Sequence, residues 1–450
     1  MHAYRPGWGR GRVRISVIGT GYLGATHAAC LAACGHEVVG VDTDAARAGR
    51  LSEGSAPFHE PGLDELLAEG VASEALTFST DPQAVAGADV HLLCVGTPQR
   101  PGSHAADLSA LDAAVDALLP HLTGPTLVVG KSTVPVGTAA GLVERLRREA
   151  PAGEAVGLAW NPEFLREGHA VEDSLRPDRL VLGLRDDRDG AVLREVYAPM
   201  INAGVPVVTT DLATAELAKV SANVMLAARI SLVNLLAEVC EVAEADVGDL
   251  TRILGLDDRI GSKFLEPGIG FGGGCLPKDT RAFVSRAEEL GVAGPAAVLR
   301  EVDAINMRQR SRTVDLAARL LGGRVAGRRV GVLGAAFKAG SDDVRDSPAL
   351  DIAGTLQARG AGVHVHDPRA GANVRRARPR LRVADSVEDA CRDAELVLVL
   401  TGWEEFRGID PVALADVVRR PCVVDGRLVL DADKWRAAGW DVHALGRGGH

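Results

Sequence analysis

The 450-residue chain has no Cys-x-x-Cys pair: Cys30, Cys34, Cys94, Cys240, Cys275, Cys391 and Cys422 are odd in number and scattered. This excludes a Cys-x-x-Cys site and a readable disulfide framework, so a reducing compartment, the cytoplasm, is expected. An apolar leader is missing too: the first fourteen residues set Arg5, Arg10, Arg12 and Arg14 among Gly, Trp and Pro, and read as a loose arm. The charge-free run 19–35 is made of small residues with His27 inside it, which suits a glycine turn entering a helix and not a membrane span. Nor is there an excess of positive charge. Sixty acids against 50 bases leave a net charge of −10, which argues against nucleic acid and makes any phosphate-bearing ligand depend on local donors. No short-period repeat and no metal-ligand set stands out. What is present is ordinary for a globular protein, with 46% hydrophobic and 24% charged residues, and the length predicts two or three domains.

Short apolar segments at 14–18, 38–41, 90–95, 127–129, 157–160, 180–182 and 205–208 are each bounded by Gly, Pro, Asp or Asn and read as buried parallel strands. Spacers such as 107–119 and 138–149 read as helices, giving βαβ periodicity. Residues 211–244 contain no Gly or Pro, and Leu217, Val220, Val224, Ile230, Leu235, Val239 and Val242 recur at helical spacing behind Asp211, a candidate N-cap. One long helix is expected there, a spine between lobes, with further helical stretches near 247–254, 279–290 and 296–321. After Gly322-Gly323 the strand pattern resumes at 329–333, 362–366, 396–400 and 422–424. The expected fold is α/β, two Rossmann-like doubly wound domains joined by a long central helical spine, with domains at 13–210, 211–322 and 323–450.

The turn Gly19-Thr-Gly21-Tyr22-Leu23-Gly24 follows segment 14–18, and segment 38–41 ends in Asp42. Glycines there allow a tight turn and close approach of backbone to a pyrophosphate, and the acid suits the adenosine ribose hydroxyls while repelling a 2′-phosphate. NAD is therefore expected over NADP; the alternative is glycine turns used for packing alone. Thr97-Pro98 and Lys131-Ser132-Thr133 follow later strands and suit either plain turns or ligand contacts. Gly268, Gly270, Gly272, Gly273 and Gly274 fall within seven residues, which makes no core and costs backbone entropy, so close approach to a ligand is the expected purpose. Pro277 suits the first turn of a helix, placing Cys275 at an N-terminus whose dipole and N–H groups favour a thiolate, with Asp279 one turn on. That setting favours a nucleophile over an inert core thiol. In Asn161-Pro-Glu163-Phe164-Leu165-Arg166-Glu167-Gly168 the two acids are either ordinary surface charges or a general base and its partner. Lys219 and Asn223 share a helix face, where they either polarise an oxygen or form a solvated edge.

Together with 131–136, Arg259-Ile-Gly261, Phe337-Lys338, Arg345 and Asp425-Gly-Arg427, these motifs keep their order across nearly the whole chain. The set resembles the nucleotide-sugar 6-dehydrogenases of the UDP-glucose/GDP-mannose dehydrogenase family. The resemblance implies an NAD domain, a helical spine that forms a homodimer, and a UDP-sugar-binding domain. It implies a two-step, four-electron oxidation at C6, with UDP-glucose favoured over GDP-mannose or a UDP-N-acetylhexosamine, through a thiohemiacetal and thioester on Cys275. By this likeness Glu163 is the acid/base of hydrolysis, Lys219 with Asn223 stabilises oxyanion charge, Asp279 assists the water, and Thr133 joins the catalytic set. Cofactor contacts fall on Gly19, Gly21, Tyr22, Leu23, Gly24, Asp42, Arg47, Thr97, Ser132, Glu167 and Arg345. Sugar-nucleotide contacts fall on Glu163, Phe164, Leu165, Arg166, Glu167, Lys219, Asn223, Phe271, Gly272, Lys338 and Arg427, with Arg259 donated by the partner subunit. A catalytically silent NAD-binding sensor is the competing class, which the intact Cys275, Lys219, Asn223, Asp279 and Glu163 oppose. The sequence departs from the family at Gly274, where a Ser is expected, and at Glu266, where some relatives carry a basic residue.

Overall fold

The computed structural model describes residues 12–447. Positions 1–11 of the expected arm lie outside them, and Arg14 already opens a strand. The chain divides between Ala222 and Asn223 into two compact units.

Unit 1 is built on eight strands: β1 (Arg14–Ile18), β2 (Glu37–Val41), β3 (Leu76–Ser79), β4 (Val90–Leu93), β5 (Thr126–Gly130), β6 (Val156–Trp160), β7 (Leu180–Gly183) and β8 (Val207–Thr210). Their order is β3-β2-β1-β4-β5-β6-β7-β8. Both faces of β1, β4 and β5 are buried, which is why their sequences are unbroken apolar runs. The sheet is not wholly parallel, as the apolar runs suggested. β7 meets β6 antiparallel at Trp160↔Gly183, and β8 runs parallel to β7. Hydrophobic patterning reports burial and carries no direction, so this reversal leaves no mark in it. β8 is also an exposed edge, with Val208 50% exposed.

The first helix, α1 (Tyr22–Ala33), buries Ala25, Ala28, Ala29 and Ala32, small residues that let it lie close on the sheet. Gly24 makes that approach possible: a Cβ there would stand 1.9 Å from the Gly19 carbonyl oxygen. α2 (Thr138–Glu149) follows β5. α3 (Leu212–Ala243) is the expected long helix, 32 residues, and Asp211 Oδ1 caps it by accepting the Thr214 N–H at 2.8 Å. By length and composition α3 would suffice to cross a membrane, and 39% of its apolar window is buried within the protein.

Unit 2 carries α4 (Leu276–Glu289) and α5 (Ala293–Leu320) ahead of a second sheet. Its strands are β9 (Arg329–Leu333), β10 (Gly362–His366), β11 (Arg382–Val383), β12 (Leu396–Val399), β13 (Cys422–Asp425) and β14 (Asp441–Ala444). All pairs are parallel, in the order β11-β10-β9-β12-β13-β14. Each unit therefore has a point where strand order reverses, between β1 and β4 and between β9 and β12, and open α/β sheets hold ligands at the strand ends beside such points.

Candidate active site

In unit 1 the glycine turn lies between β1 and α1. Gly19 takes φ +88°, and a Cβ on Gly21 would meet nothing within 4 Å, so the backbone faces open space at a helix start that has no side-chain cap and no acid in its first turn. Those N–H groups and the helix dipole suit a pyrophosphate. Asp42 follows β2 and is 7% exposed. It accepts the Thr20 N–H at 2.7 Å, the Thr20 hydroxyl at 3.1 Å, the Asp44 N–H at 3.0 Å and Arg47 Nη1 at 2.8 Å. Burial pushes its carboxyl up, but the donors Asp44, Arg47 and Thr20 outweigh that and hold it below the usual range. A carboxyl lowered in the fold stabilises it fully above the unfolded value of about 4, and that contribution is lost as pH falls through the lowered value. Acid melts of Asp42→Asn should therefore be less steep than those of the unmodified chain below about pH 4.

Other cofactor candidates are placed by local bonds. The Tyr22 hydroxyl donates to Glu60 and accepts the Gly168 N–H at 2.9 Å, while Leu23 packs against the core. Thr97 Oγ1 donates to Thr133 O at 2.7 Å and Ser132 Oγ to Val95 O at 2.7 Å, which ties the loops after β4 and β5 together. Glu167 is 9% exposed. Glu163, in the loop after β6, pairs with Lys219 Nζ at 2.8 Å and accepts the Leu165 N–H at 2.7 Å. The Arg179 guanidinium lies 3.8 Å from the centre of the Phe164 ring. Arg166, a sugar-nucleotide candidate, is engaged by Asp173 at 2.6 Å.

In unit 2 Cys275 is the exposed N-cap residue of α4, with Pro277 in the first turn. Asn223 Nδ2 donates to Asp279 Oδ2 at 2.6 Å, Lys278 Nζ to Asp279 Oδ1 at 2.5 Å, and Asp279 is 1% exposed. The glycine-rich loop has no room for side chains: a Cβ on Gly272 would lie 2.3 Å from Asp346 O, and Gly273 at φ +85° faces the Phe337 ring at 2.8 Å. A Cβ on Gly274 would stand 2.4 Å from Cζ of Arg345, the far end of a side chain that is 63% exposed and can move aside. Arg427 donates to Leu400 O at 3.0 Å and to Phe337 O at 3.5 Å, and burial with the Arg310 charge brings it down to about 10. Lys338 Nζ lies 5.7 Å from the Phe337 ring centre, and the Arg259 side chain is 89% exposed beside Asp257.

Sequence reasoning missed the residues that hold these loops. Asn234 Oδ1 on α3 accepts the Gly268 N–H at 2.8 Å, and Asn306 on α5 exchanges two bonds with Phe271, at 2.7 and 3.0 Å. Arg310, one turn further, donates to Phe271 O at 3.1 Å. In unit 1 Glu216 on α3 accepts the N–H groups of Gly137 and Ala139 at 2.8 and 2.7 Å, capping α2, and Glu60 accepts those of Gly168 and Ala170, each at 2.7 Å. For Asn234 and Glu216 the available signal was a polar residue on the largely apolar α3; for Glu60, Asn306 and Arg310 there was none. Among the described residues one group, Cys422, Asp441 and His443, has metal-ligand atoms within 4.8 Å of one another, but Asp441 is engaged by Arg420 at 3.0 Å and by His443 at 2.8 Å.

Comparison with known proteins matches three sequence models in chain order. They are the NAD binding domain of the UDP-glucose/GDP-mannose dehydrogenase family over residues 13–201, its central domain over 213–308 and its UDP binding domain over 331–432. A UDP-glucose 6-dehydrogenase of Rhizobium meliloti is 42% identical over 97% of this chain and 100% of its own length. The structure of a UDP-glucose dehydrogenase from Pyrobaculum islandicum superposes with a TM-score of 0.88 at 36% identity, covering 98% of this chain and 99% of the other. That of a UDP-D-ManNAc dehydrogenase from Pyrococcus horikoshii gives 0.86 at 25% identity, covering 97% and 99%.

Proposed function

The chain belongs to the UDP-glucose/GDP-mannose dehydrogenase family, and from that premise we propose that it oxidises the C6 alcohol of UDP-glucose to UDP-glucuronate in two NAD-dependent steps. The observation that carries the reading is Cys275, exposed at the start of α4 with Pro277 in its first turn. Bound NAD would supply the hydride acceptor for each oxidation. Gly19, Gly21 and Gly24 would admit its pyrophosphate at the α1 N-terminus, Asp42 would take the ribose hydroxyls, and Arg47, Thr97, Ser132 and Glu167 would border the site. The Cys275 thiolate adds to the C6 aldehyde, which keeps it from leaving between oxidations, and the thiohemiacetal then becomes a thioester. Lys219 and Asn223, one turn apart on α3, stabilise oxyanion charge, and Asp279, oriented by Asn223 and Lys278, assists the water. Glu163 takes the proton of that water. Thr133 borders the reacting carbon. Phe164, Leu165, Phe271, Gly272, Lys338 and Arg427 receive the sugar nucleotide. Purified protein offered UDP-glucose, GDP-mannose and UDP-N-acetylhexosamines with NAD should form two NADH per UDP-glucose consumed; NAD binding without reduction would overturn the assignment.

Cofactor choice rests on Asp42. Asp42→Ala should raise the KM for NAD and narrow its preference over NADP, as read from the ratio of the two kcat/KM values. Equal use of both cofactors by the unmodified enzyme would defeat the assignment.

A homodimer completes the site. Met225, Leu232 and Val239 recur every seven residues on α3 and are 65, 58 and 63% exposed, with Val242 88% exposed. A contiguous exposed apolar stripe calls for a partner, and Glu216, Lys219, Arg229, Glu238 and Glu241 on the same helix disfavour a bilayer as that partner. A second copy covering the stripe brings the exposed Arg259 to its neighbour's sugar nucleotide. Leu232→Lys should give an inactive monomer by sedimentation; a fully active monomer at high dilution would sink the claim. With none of its seven cysteines in a disulfide, we place the protein in the cytoplasm.

A further inference from the structure

Unit 1 buries a cation that the chemistry above leaves unused. Lys131 follows β5 and is 3% exposed. Its Nζ donates to Asn161 Oδ1 at 2.8 Å, to Asn161 O at 3.3 Å and to Tyr197 Oη at 3.4 Å, with the Tyr197 ring centre 5.7 Å away. The Tyr197 hydroxyl donates to Asn161 Oδ1 at 2.6 Å and meets His27 Nε2 at 3.1 Å, while Asn161 Nδ2 donates to Val181 O at 2.8 Å. These partners are neutral amide, carbonyl and phenol groups.

Charged and titratable groups face this ammonium from four other elements. Burial lowers it to about 8, against the pull of Cys94 at the end of β4 and Glu163 after β6, and Lys219 on α3 lowers it further. Burial pushes the Cys94 thiol up to about 12, and burial together with the Lys131 charge lowers His27 on α1, so both are neutral near pH 7. Burial likewise raises the Tyr197 phenol far above neutrality. Glu163 also acts on Lys131 and is paired with Lys219 at 2.8 Å, and the residue Lys131 grips, Asn161, stands two positions before it.

We propose that Lys131 is a positioning residue for thioester hydrolysis: by holding both oxygens of Asn161 it fixes the turn that carries Glu163, the group that accepts the proton of water. The inference rests on the proposed role of Glu163. In that step a water oxygen bonds to the thioester carbon, Glu163 takes one water proton, and the C–S bond breaks with its electron pair leaving on Cys275. The acid is released and Cys275 returns as a thiolate.

The test quenches single turnovers with UDP-glucose and NAD and follows the Cys275 adduct by mass spectrometry. Lys131→Gln should slow adduct decay roughly tenfold, while the first NADH burst and NAD affinity stay within about twofold. Lys131→Arg should slow decay as well, because a planar fork cannot set one donor on both Asn161 oxygens. A folded Lys131→Gln whose adduct decays at the unmodified rate, or whose burst slows as much as its decay, overturns the proposal. If that variant does not fold, Lys131→Arg decides: slowed decay with an unchanged burst supports it, and an unchanged decay rate overturns it. Absence of any adduct on Cys275 in the unmodified enzyme would instead sink the covalent reading on which the inference rests.

Discussion

Cys275→Ala should lose acid formation by more than about a thousandfold while NAD and UDP-sugar affinities stay near those of the unmodified enzyme. The first hydride transfer does not strictly require a thiol, so slow formation of one NADH per sugar can survive, and free aldehyde should then escape. The second oxidation is different. An aldehyde carbon gives up a hydride readily only once a nucleophile has made it tetrahedral, and the N-cap position at α4 supplies a thiolate where the helix dipole favours it. Cys275→Ser offers a hydroxyl of far higher pKa that is also a poorer leaving group, so it should resemble the Ala variant in acid yield. Mass spectrometry of the quenched enzyme reads the outcome directly: a sugar-nucleotide adduct on the peptide spanning residues 272–278, gone in Cys275→Ala and longer-lived in Glu163→Gln. Undiminished acid from Cys275→Ala would refute the covalent mechanism.

The second large effect belongs to a residue that touches no reacting atom. The Arg310 side chain is 5% exposed and pairs with Asp346 at 2.8 Å and with Asp351, while also donating to the carbonyls of Phe271 and Asp346. Arg310→Met would take away the donor that these acceptors share, leaving Asp346 to Arg281, Asp351 to Arg378 and the Phe271 carbonyl to Asn306. Removing one partner of such a buried set costs about 3–5 kcal/mol, and the remaining donors and the partial exposure of both aspartates, 26 and 33%, point to the lower end. Thermal unfolding of unit 2 should fall by roughly 10 °C, and the KM for UDP-glucose should rise because Phe271 is then held by Asn306 alone. Arg310→Lys should recover little, since one ammonium cannot replace a planar fork serving several acceptors. A melting temperature unchanged to within about 2 °C would show that the guanidinium only fills space.

What the sequence revealed divides along a physical line. Strands buried on both faces, such as β1, β4, β5 and β12, announce themselves as apolar runs. β3 and the two-residue β11, both partly exposed, and β14, which carries Asp441 and His443, have no such run and were not anticipated. The antiparallel turn from β6 to β7 was invisible for the same reason, because burial is indifferent to strand direction. In the candidate site, Cys275 was legible because a proline-led helix start marks its place, whereas the glycines before it, expected to meet a ligand, pack against Asn306, Asp346 and Phe337 of the chain itself. Asn234, Asn306, Arg310, Glu216 and Glu60 were not. Each is a polar residue that reads as surface, and only the fold shows that its partner is the main chain of a distant loop.

The placement of the seven thiols gives the protein an internal titrant. Burial pushes Cys30, Cys94, Cys391 and Cys422 up to about 12 and raises Cys34 and Cys240 as well, whereas Cys275 alone is exposed. A limiting dose of a thiol-alkylating reagent should therefore partition to one site, and label incorporated per chain should count competent active sites without any substrate. The same inequality makes peroxide a selective poison: the first sulfenic acid should form where the chemistry is, while five of the other sulfurs are buried and Cys34 is partly covered.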